Sequence, residues 1–278
     1  AIEQADLIID GLLGTGIQSK VREPFSQLIK TANESQVPIV AIDLPSGIHA
    51  DTGVVQGVAI KAALTVTFVG IKQGLVTGQG RAQAGILEFN DLGIEDAFLK
   101  QTLPTTKIIN YLNQARLPER DNNSHKTSHG KLLCVGGNAG TAGAIRLTAE
   151  AALRTGAGMV KVYTHSSSIL PVSIGRPELM VTDTNLISAL EWATCVAIGP
   201  GLGQDTWSET TFEAVMQYCF TNNKPLVIDA DALNLMAQHA SSFPLANTVI
   251  TPHPGEAARL LNCRASDIEE NRFHAVKQ

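Results

Sequence analysis

Four loops that combine small residues, acidic residues and a histidine follow apolar strand patterns in the second half of the sequence. Small side chains let a ligand approach the backbone, while carboxylates and an imidazole can bind substrate or move protons. Loops leaving the carboxyl ends of parallel strands share one edge of the sheet, where open α/β folds bind ligands. The sequence therefore predicts one crevice for a phosphate-bearing ligand, formed by residues 136–144, 199–203, 229–233 and 251–256.

Glycine is concentrated in the first two of these loops. The three glycines of 199–203 have no evident packing role, which favours close approach of a ligand. Residues 138–144 lead into a helix whose first amides could face an anion, or they could serve tight packing of helix against sheet.

Acidic residues and a histidine characterise the other two loops. Asp229 and Asp231 bracket a strand end, and we expect one to cap the next helix and the other to face the crevice. His253 stands between two prolines, which suits substrate positioning, although it could instead cap a helix. No Ser/His/Asp triad and no phosphate-loop lysine pattern is present.

Two further candidate regions lie in the first half. The turn 13–16 contains two glycines after a strand that ends in Asp10, and could bind a ligand or be purely structural. Asp43 follows a buried strand and precedes a Pro-Ser-Gly turn, where it could act on a ligand or cap a helix. Asp10 and Ser46 offer oxygen ligands on adjacent strand ends, which would suit a hard cation.

Strand and helix patterns alternate on both sides of a polar connector, which predicts a mostly parallel α/β sheet in each part. The strand 85–89 alternates in polarity and is predicted to lie at a sheet edge. The predicted strands are 7–10, 38–43, 64–69, 85–89, 131–135, 159–163, 195–198, 225–228 and 248–250. The predicted helices are 24–33, 142–155, 208–221, 232–238, 255–261 and an amphipathic helix from about 266.

Composition excludes several classes of protein. The net charge is −5, and neither part is basic, so a nucleic-acid partner is not predicted. No stretch has the length and apolarity of a membrane span, and a cytoplasmic protein without a membrane partner is predicted. The four cysteines are widely spaced, which predicts buried reduced thiols rather than a zinc site. Apolar positions on the last predicted helix favour a homo-oligomer.

With these motifs assembled, nearly the whole chain resembles the bifunctional NAD(P)H-hydrate repair family. Residues 1–106 resemble its epimerase domain, which is Rossmann-like, and 124–278 resemble its ADP-dependent dehydratase domain, which is ribokinase-like. Residues 107–123 form the predicted linker. The resemblance rests on Leu-Leu-Gly-Thr-Gly at 12–16, Ala-Ile-Asp-Leu-Pro-Ser-Gly at 41–47, Lys-Gln-Gly-Leu at 72–75, Arg-Thr-Gly-Ala-Gly at 154–158, Pro-Glu-Leu-Met at 177–180 and the later loops.

The resemblance implies a repair activity on nicotinamide cofactors whose ring has gained water. An epimerase (an isomerase) interconverts the R and S hydrates, and a dehydratase (a lyase) restores NAD(P)H from the S form. ADP or ATP with Mg²⁺ phosphorylates the ring hydroxyl, and the lone pair of the ring nitrogen then expels the resulting phosphate. By position, Asp10 and Ser46 match K⁺ ligands. The matches to epimerase substrate contacts are Gly14, Thr15, Gly16, Ile17, Gln18, Ser19, Lys20 and Asp43, and those to dehydratase substrate contacts are Ala144, Gly201, Gly203 and His253.

The resemblance also implies that both domains are incomplete. A glycine- and asparagine-rich epimerase loop would precede Ala1, and the nucleotide loop and catalytic aspartate of the dehydratase would follow Gln278. We therefore expect this chain alone to turn over neither substrate. Two alternatives stay open at this point: a small-molecule kinase on a ribokinase-like fold, and a catalytically inactive nucleotide-binding protein.

Overall fold

Two compact units make up the chain, each built around a parallel sheet. The computed structural model describes residues 4–110, 119–239 and 247–278. Residues up to 116 and 266–278 form the first unit, and 117–265 form the second. The division at 116 falls inside the predicted linker, of which 111–118 lie outside the described residues. The predicted α/β class with two domains is confirmed, and the predicted domain limits stay a prediction.

The first unit has a four-stranded parallel sheet in the order β1-β2-β3-β4. The strand predicted to lie at an edge, β4, does so. One face of the sheet packs against the helix that follows β1, whose Ser26, Ile29 and Ala32 are buried at intervals of three residues. The elements are β1 (Ile8–Asp10), α1 (Phe25–Glu34), β2 (Ile39–Ile42), β3 (Leu64–Phe68), α2 (Gly80–Gln83), β4 (Ile86–Asn90) and α3 (Glu95–Gln101).

The second unit has a six-stranded parallel sheet in the order β10-β9-β8-β5-β6-β7. The chain runs outward from β5 to β7 and then returns to the other side of β5 at β8. Strand order therefore reverses between β5 and β8, and such a switch point opens a crevice at the carboxyl ends of the strands. The strands are β5 (Lys131–Val135), β6 (Met159–Tyr163), β7 (Met180–Thr182), β8 (Cys195–Ile198), β9 (Leu226–Ile228) and β10 (Thr248–Ile250).

The helices of the second unit follow the predicted ones closely, with short elements added. One prediction is corrected at its start: Asp205 accepts a hydrogen bond from Ser208 N at 3.0 Å and so begins a helix at Thr206, two residues early. The single helix predicted from about 266 is two short helices. The helices of this unit are α4 (Ala142–Thr155), α5 (Ile169–Ser173), α6 (Leu186–Trp192), α7 (Thr206–Thr221), α8 (Asp231–Gln238) and α9 (Pro254–Leu260). The last two helices, α10 (Ala265–Glu270) and α11 (Arg272–Ala275), lie in the C-terminal segment, which belongs to the first unit from residue 266.

The second unit encloses the larger core. Leu133, Val196 and Ile228 fill the middle of its sheet, and Phe212 on α7 packs against them. Of the four free cysteines, Cys134 and Cys219 are buried, Cys195 is half-buried and Cys263 is exposed, so the prediction of burial is wrong for the last, which lies in a turn after α9. None of the helices in the described ranges has the length and apolarity to cross a membrane.

Candidate functional site

The carboxylate of Asp10 and the hydroxyl of Ser46 are in direct contact in the first unit. Asp10 ends β1 and Ser46 lies in the turn after β2, so the pairing of these parallel strands brings both to one sheet edge. The Ser46 hydroxyl donates to Asp10 Oδ1 at 2.6 Å, and its backbone N–H donates to Oδ2 at 2.8 Å. The Leu13 carbonyl oxygen lies 3.2 Å from the same hydroxyl. The two predicted cation ligands are therefore adjacent.

The side chain of Asp10 is buried. Its exposed fraction is 2%, and no lysine, arginine or histidine in the part of the chain that the structure describes forms an ion pair with it. A buried carboxylate without a counter-charge is costly, and a bound cation would offset that cost. One carboxylate, one hydroxyl and one carbonyl form an all-oxygen donor set that suits a hard cation of single charge. The residues present thus fit K⁺.

Asp43 is the anchor of a second polar group in the same unit. Its Oδ1 accepts hydrogen bonds from Thr67 Oγ1 and from Phe68 N, both at 3.1 Å, and from the ammonium of Lys72. Lys72 also donates to the Phe68 carbonyl at 3.0 Å, which holds it in place. The alternative that Asp43 caps a helix is wrong, because its carboxylate faces the end of β3.

The pKa of Asp43 lies below its ordinary value. Partial burial by itself raises the pKa, but the hydrogen bond from Lys72, the backbone N–H of Phe68 and the charge of Lys72 together outweigh burial. Asp43 is therefore a carboxylate at neutral pH, with one oxygen saturated by donors. Its other oxygen has no hydrogen-bond partner among the residues that the structure describes, and is the atom free to meet a ligand.

The loop 14–20, predicted to contact epimerase substrate, is exposed and is tied to the chain after β2 at both ends. At its start, Leu13 N donates to Ser46 Oγ at 2.9 Å. Near its end, Gln18 contacts His49 Nε2 at 3.2 Å. A Cβ added at Gly14 or Gly16 would meet no atom within 4 Å. The protein's own packing does not require these glycines, which leaves room for a ligand.

In the second unit, the loops after β5 and β8 are joined across the switch point. Gly137 N donates to the Pro200 carbonyl at 3.1 Å, and Asn138 N donates to the Gly201 carbonyl at 2.7 Å. Thr141 Oγ1 donates to the same Gly201 carbonyl at 2.7 Å. These bonds bring Gly201 beside Ala144, since a Cβ built on Gly201 would lie 3.1 Å from the Ala144 Cβ.

The glycines of 199–203 do have packing roles, so the prediction that they lack one is wrong. A Cβ at Gly199 would lie 1.7 Å from the Asp229 carbonyl oxygen. One at Gly203 would lie 2.9 Å from Asn138 Nδ2. The loops after β5, β8 and β9 approach one another so closely that side chains at these positions would clash. Sequence alone could not reveal this, because the clashing atoms belong to distant segments.

Asp229 and Asp231 both link neighbouring loops. Asp229 Oδ1 accepts a hydrogen bond from Thr251 Oγ1 at 2.9 Å, and Asp231 Oδ2 accepts one from Gly203 N at 2.8 Å. The expectation that one of them caps α8 is wrong, because neither side chain accepts a hydrogen bond from a backbone N–H in the first turn of that helix. These links extend the connected edge from β5 to β10.

His253 is the N-cap of α9, which is the alternative that the sequence left open. Its Nδ1 accepts from Gly255 N at 3.0 Å, and Glu256 Oε2 accepts from His253 N at 2.9 Å, forming a reciprocal capping box. His253 Nε2 lies 3.2 Å from Glu256 Oε1, and 63% of the side chain is exposed. The ring is rigidly held and open to a ligand, two strands from β8 and so about 10 Å away.

Lys72 and Asp205 are partners in the candidate sites that the sequence-based predictions did not single out, and Asn138 was predicted only as part of the loop 136–144. Lys72 lies in a motif that supported the resemblance, but nothing in its spacing shows contact with Asp43. Asn138 Nδ2 donates to Asp205 Oδ2 at 2.9 Å and to Ser208 Oγ at 3.1 Å, and so fastens the loop after β5 to α7. The hydrogen bond from Asn138 lowers the pKa of Asp205, as do bonds from Ser208. A run of small residues around Asn138 was its one visible signal.

Comparison with known proteins gives two family matches. Residues 132–278 match the sequence model described as NAD(P)H-hydrate dehydratase. Residues 1–74 match the one described as YjeF-related protein N-terminus. The two matches lie in the same order as the two units.

Curated relatives match across both units. The chain is 47% identical over 279 residues to the bifunctional NAD(P)H-hydrate repair enzyme of Escherichia coli (strain K12), covering 99% of this chain and 53% of that protein. It is 42% identical over 281 residues to the enzyme of the same name from Vibrio cholerae serotype O1, covering 99% and 56%. The chain thus spans about half the length of the curated relatives it matches.

Solved structures share the fold of the second unit. A hypothetical protein from Streptococcus mutans aligns with a TM-score of 0.53 and 34% identity, covering 57% of this chain and 58% of that one. A ribokinase-like superfamily protein from Enterococcus faecalis V583 aligns with a TM-score of 0.51 and 30% identity, covering 57% and 56%. The predicted ribokinase-like fold is confirmed. Because the dehydratase match extends over more than half of the sequence, the chain belongs to the NAD(P)H-hydrate dehydratase family.

Proposed function

We propose that this chain acts in the repair of hydrated nicotinamide cofactors, with one reaction in each unit. In a repair enzyme that contains this sequence, the first unit serves epimerisation of the R and S forms of NAD(P)H hydrate, and the second serves dehydration of the S form with ADP or ATP and Mg²⁺. The observation that carries the proposal is the joining of the loops at the switch point, which places Ala144 and Gly201 side by side in a chain of this family.

In the proposed reactions, the nucleotide and the residues of this chain have different roles. The nucleotide would supply the phosphoryl group that turns the ring hydroxyl into a good leaving group. Ala144 and Gly201 would contact the hydrate and leave room for it because their side chains are small or absent. His253 would contact the hydrate from the rigid start of α9. In the first unit, the free oxygen of Asp43 would contact the hydrate ring beneath the loop 14–20.

A small-molecule kinase on the same fold is not favoured. A kinase of this kind gives no reason for the first unit, where residues 1–74 match a different family model. The arrangement of two matches in one chain is that of the bifunctional repair enzymes of Escherichia coli and Vibrio cholerae. Phosphorylation of a vitamin or sugar alcohol by the purified chain would support the kinase instead.

Filling the space beside Gly201 tests the dehydratase site. We expect Ala144→Phe to weaken binding of (S)-NADPH hydrate roughly 10- to 100-fold, because a phenyl ring would occupy the proposed ligand volume. Isothermal titration calorimetry of the 278-residue chain provides the measurement without requiring turnover. Ala144 is exposed, so its replacement should leave the core intact.

Ala151→Phe is the matched control, since Ala151 is also exposed and lies on the same helix. The control should bind the hydrate as the wild type does. Equal affinity of Ala144→Phe and wild type would contradict the proposed site. A wild-type chain that binds neither hydrate epimer would overturn the proposed function itself.

We further propose that Asp10 and Ser46 hold K⁺. Because a cation that binds only the folded state stabilises it, K⁺ at 100 times its Kd should add about 2.7 kcal/mol to the free energy of unfolding of the first unit. Asp10→Asn should abolish this gain, while Asp51→Asn, at an exposed position, should keep it. Hydrogen exchange of residues 39–48 in K⁺ against choline measures the effect. An equal K⁺ response of the Asp10 variant would contradict the assignment.

The other expectations from the sequence stay predictions: a homo-oligomer, a cytoplasmic location, and no nucleic-acid or membrane partner. Size-exclusion chromatography with light scattering tests the first of these directly.

A further inference from the structure

A cavity of about 350 Å³ opens between α8 and α9 in the second unit. Its volume lies within the range of small-molecule sites. Gln204, directly after Gly203, lies on its wall and connects it to the loop after β8. The lining residues are Gln204, Asn234, Ala237, Gln238, Arg259 and Asn262.

Two side chains of the cavity have donor groups that their own hydrogen bonds leave unused. Arg259 Nη1 donates to Asn234 Oδ1 at 2.7 Å, and the remaining guanidinium N–H groups have no further partner within the described ranges. Gln238 Nε2 donates to Gln204 Oε1 at 2.8 Å, which leaves the amide N–H₂ of Gln204 free to donate into the cavity. Hydrogen bonds to Asn234 and from Gln238 therefore hold in place the two side chains that carry these donors.

The charge of Arg259 is not neutralised within the cavity. Its partner Asn234 is uncharged, and no aspartate or glutamate is among the lining residues. Asp231 lies 3.5 Å from Asn234 Nδ2 through Oδ1, but its other oxygen accepts from Gly203 N, so it faces the loop. The undescribed residues 240–246 have no charged side chain in their sequence. The cavity thus has one positive charge and no carboxylate among its lining residues.

We propose that this cavity is a binding subsite for the diphosphate group of a nucleotide, with Arg259 as its principal ligand. A planar guanidinium pairs with phosphate oxygens in a bidentate manner, and the Gln204 amide supplies a further donor. The cavity adjoins the Gly203 loop, and Arg259 lies six residues beyond His253, about 9 Å along α9. A dinucleotide held at those positions could reach it with its diphosphate.

The subsite rests on the proposed function only for the source of the diphosphate, which is either the cofactor hydrate or ADP. Isothermal titration calorimetry of the 278-residue chain with inorganic pyrophosphate, ADP and NADPH hydrate separates these sources. Arg259→Gln should weaken pyrophosphate binding roughly 10- to 100-fold, because a charged hydrogen-bonding partner is lost. The same loss for the hydrate but not ADP assigns the subsite to the substrate, and the reverse assigns it to ADP.

Arg154→Gln is the matched control, since it removes the same charge from an exposed position on α4 whose nearest carboxylate contact is 4.0 Å long. Arg259→Lys, which keeps the charge but not the fork, should retain part of the affinity. Equal pyrophosphate binding by wild type and Arg259→Gln, or an equal loss in Arg154→Gln, overturns the subsite. If Ala144→Phe weakens hydrate binding while Arg259→Gln weakens the binding of no ligand, the proposed function is supported and the subsite is contradicted. If the chain binds pyrophosphate through Arg259 but binds no hydrate, the subsite is supported and the proposed function is contradicted.

Discussion

Replacing Gly199 with alanine is expected to destabilise the second unit by more than about 4 kcal/mol, enough to unfold many domains. The new Cβ would lie 1.7 Å from the Asp229 carbonyl oxygen and 3.0 Å from the Ala232 Cβ. Gly199 also has φ of +127°, a backbone conformation that residues with a side chain rarely adopt. Because the obstacle is backbone at the end of β9, rotation of a side chain cannot relieve it.

Tryptophan fluorescence measures this effect on the second unit alone. Both tryptophans of the chain, Trp192 and Trp207, lie in that unit. A denaturant titration followed by fluorescence therefore reports its unfolding without a contribution from the first unit. We expect the midpoint of Gly199→Ala to fall far below that of the wild type, or the native signal to be absent without denaturant.

Gly143→Ala provides the control with the same chemical change. Gly143 lies in the first turn of α4, where an added Cβ would meet no atom within 4 Å. Alanine favours a helix over glycine by about 1 kcal/mol, so this variant should be as stable as the wild type or slightly more so. A wild-type midpoint for Gly199→Ala would show that the loops after β8 and β9 are not packed as described.

Elements with long or strongly apolar patterns were predictable from sequence. The strands β5, β6, β8 and β10 and the helix α4 have the predicted bounds, because each carries a full apolar pattern between clear end signals. The strand β7 and the helices α5 and α6 were missed. β7 has three residues and exists through its pairing with β6, a contact between segments that a local pattern does not contain.

The candidate sites were predictable as positions but not as networks. Asp10, Asp43 and Ser46 could be predicted as site residues, because acids and small residues that follow apolar runs are visible in the sequence. The partner of Asp43, Lys72, is 29 residues away, and a lysine in a polar turn has no local signature of its target. For the same reason the sequence interpretation leaves Gly199 open to a ligand, although the distant Asp229 carbonyl oxygen already fills the space where its side chain would lie.

Substituting Lys72 with methionine is expected to slow hydrate epimerisation on the order of 10- to 100-fold, the cost of losing a charged hydrogen bond that fixes a substrate-contacting group. Lys72 and two other donors bind Oδ1 of Asp43, so they determine where the free oxygen points. Without the ammonium, the carboxylate can rotate, while the strand end keeps its backbone bonds. We expect the loss mainly in kcat/KM, measured by separating the two epimers chromatographically in a repair enzyme that contains this sequence.

The same substitution should change the acid stability of the first unit in a defined direction. Because the folded-state pKa of Asp43 lies below its ordinary value of 3.8, this carboxylate stabilises the fold above about pH 4 and stops doing so as pH falls through the lowered pKa. In Lys72→Met, burial still raises the pKa but its main opposing cause is gone. The loss of stability on acidification should therefore begin at a higher pH. The free energy of unfolding should fall by about 1 kcal/mol or less, because this pair is partly exposed.

Two further variants separate positioning of Asp43 from general loss of stability. Thr67→Val removes one neutral donor to the same oxygen at a buried position, and should slow epimerisation only a few-fold while leaving the charge of Lys72 in place. Lys72→Arg should restore part of the rate, since it returns the positive charge without the same geometry. If Lys72→Met epimerises at the wild-type rate while its acid transition moves to higher pH, Lys72 stabilises the fold without positioning Asp43. If neither quantity changes, the contact between Lys72 and Asp43 does not persist in solution.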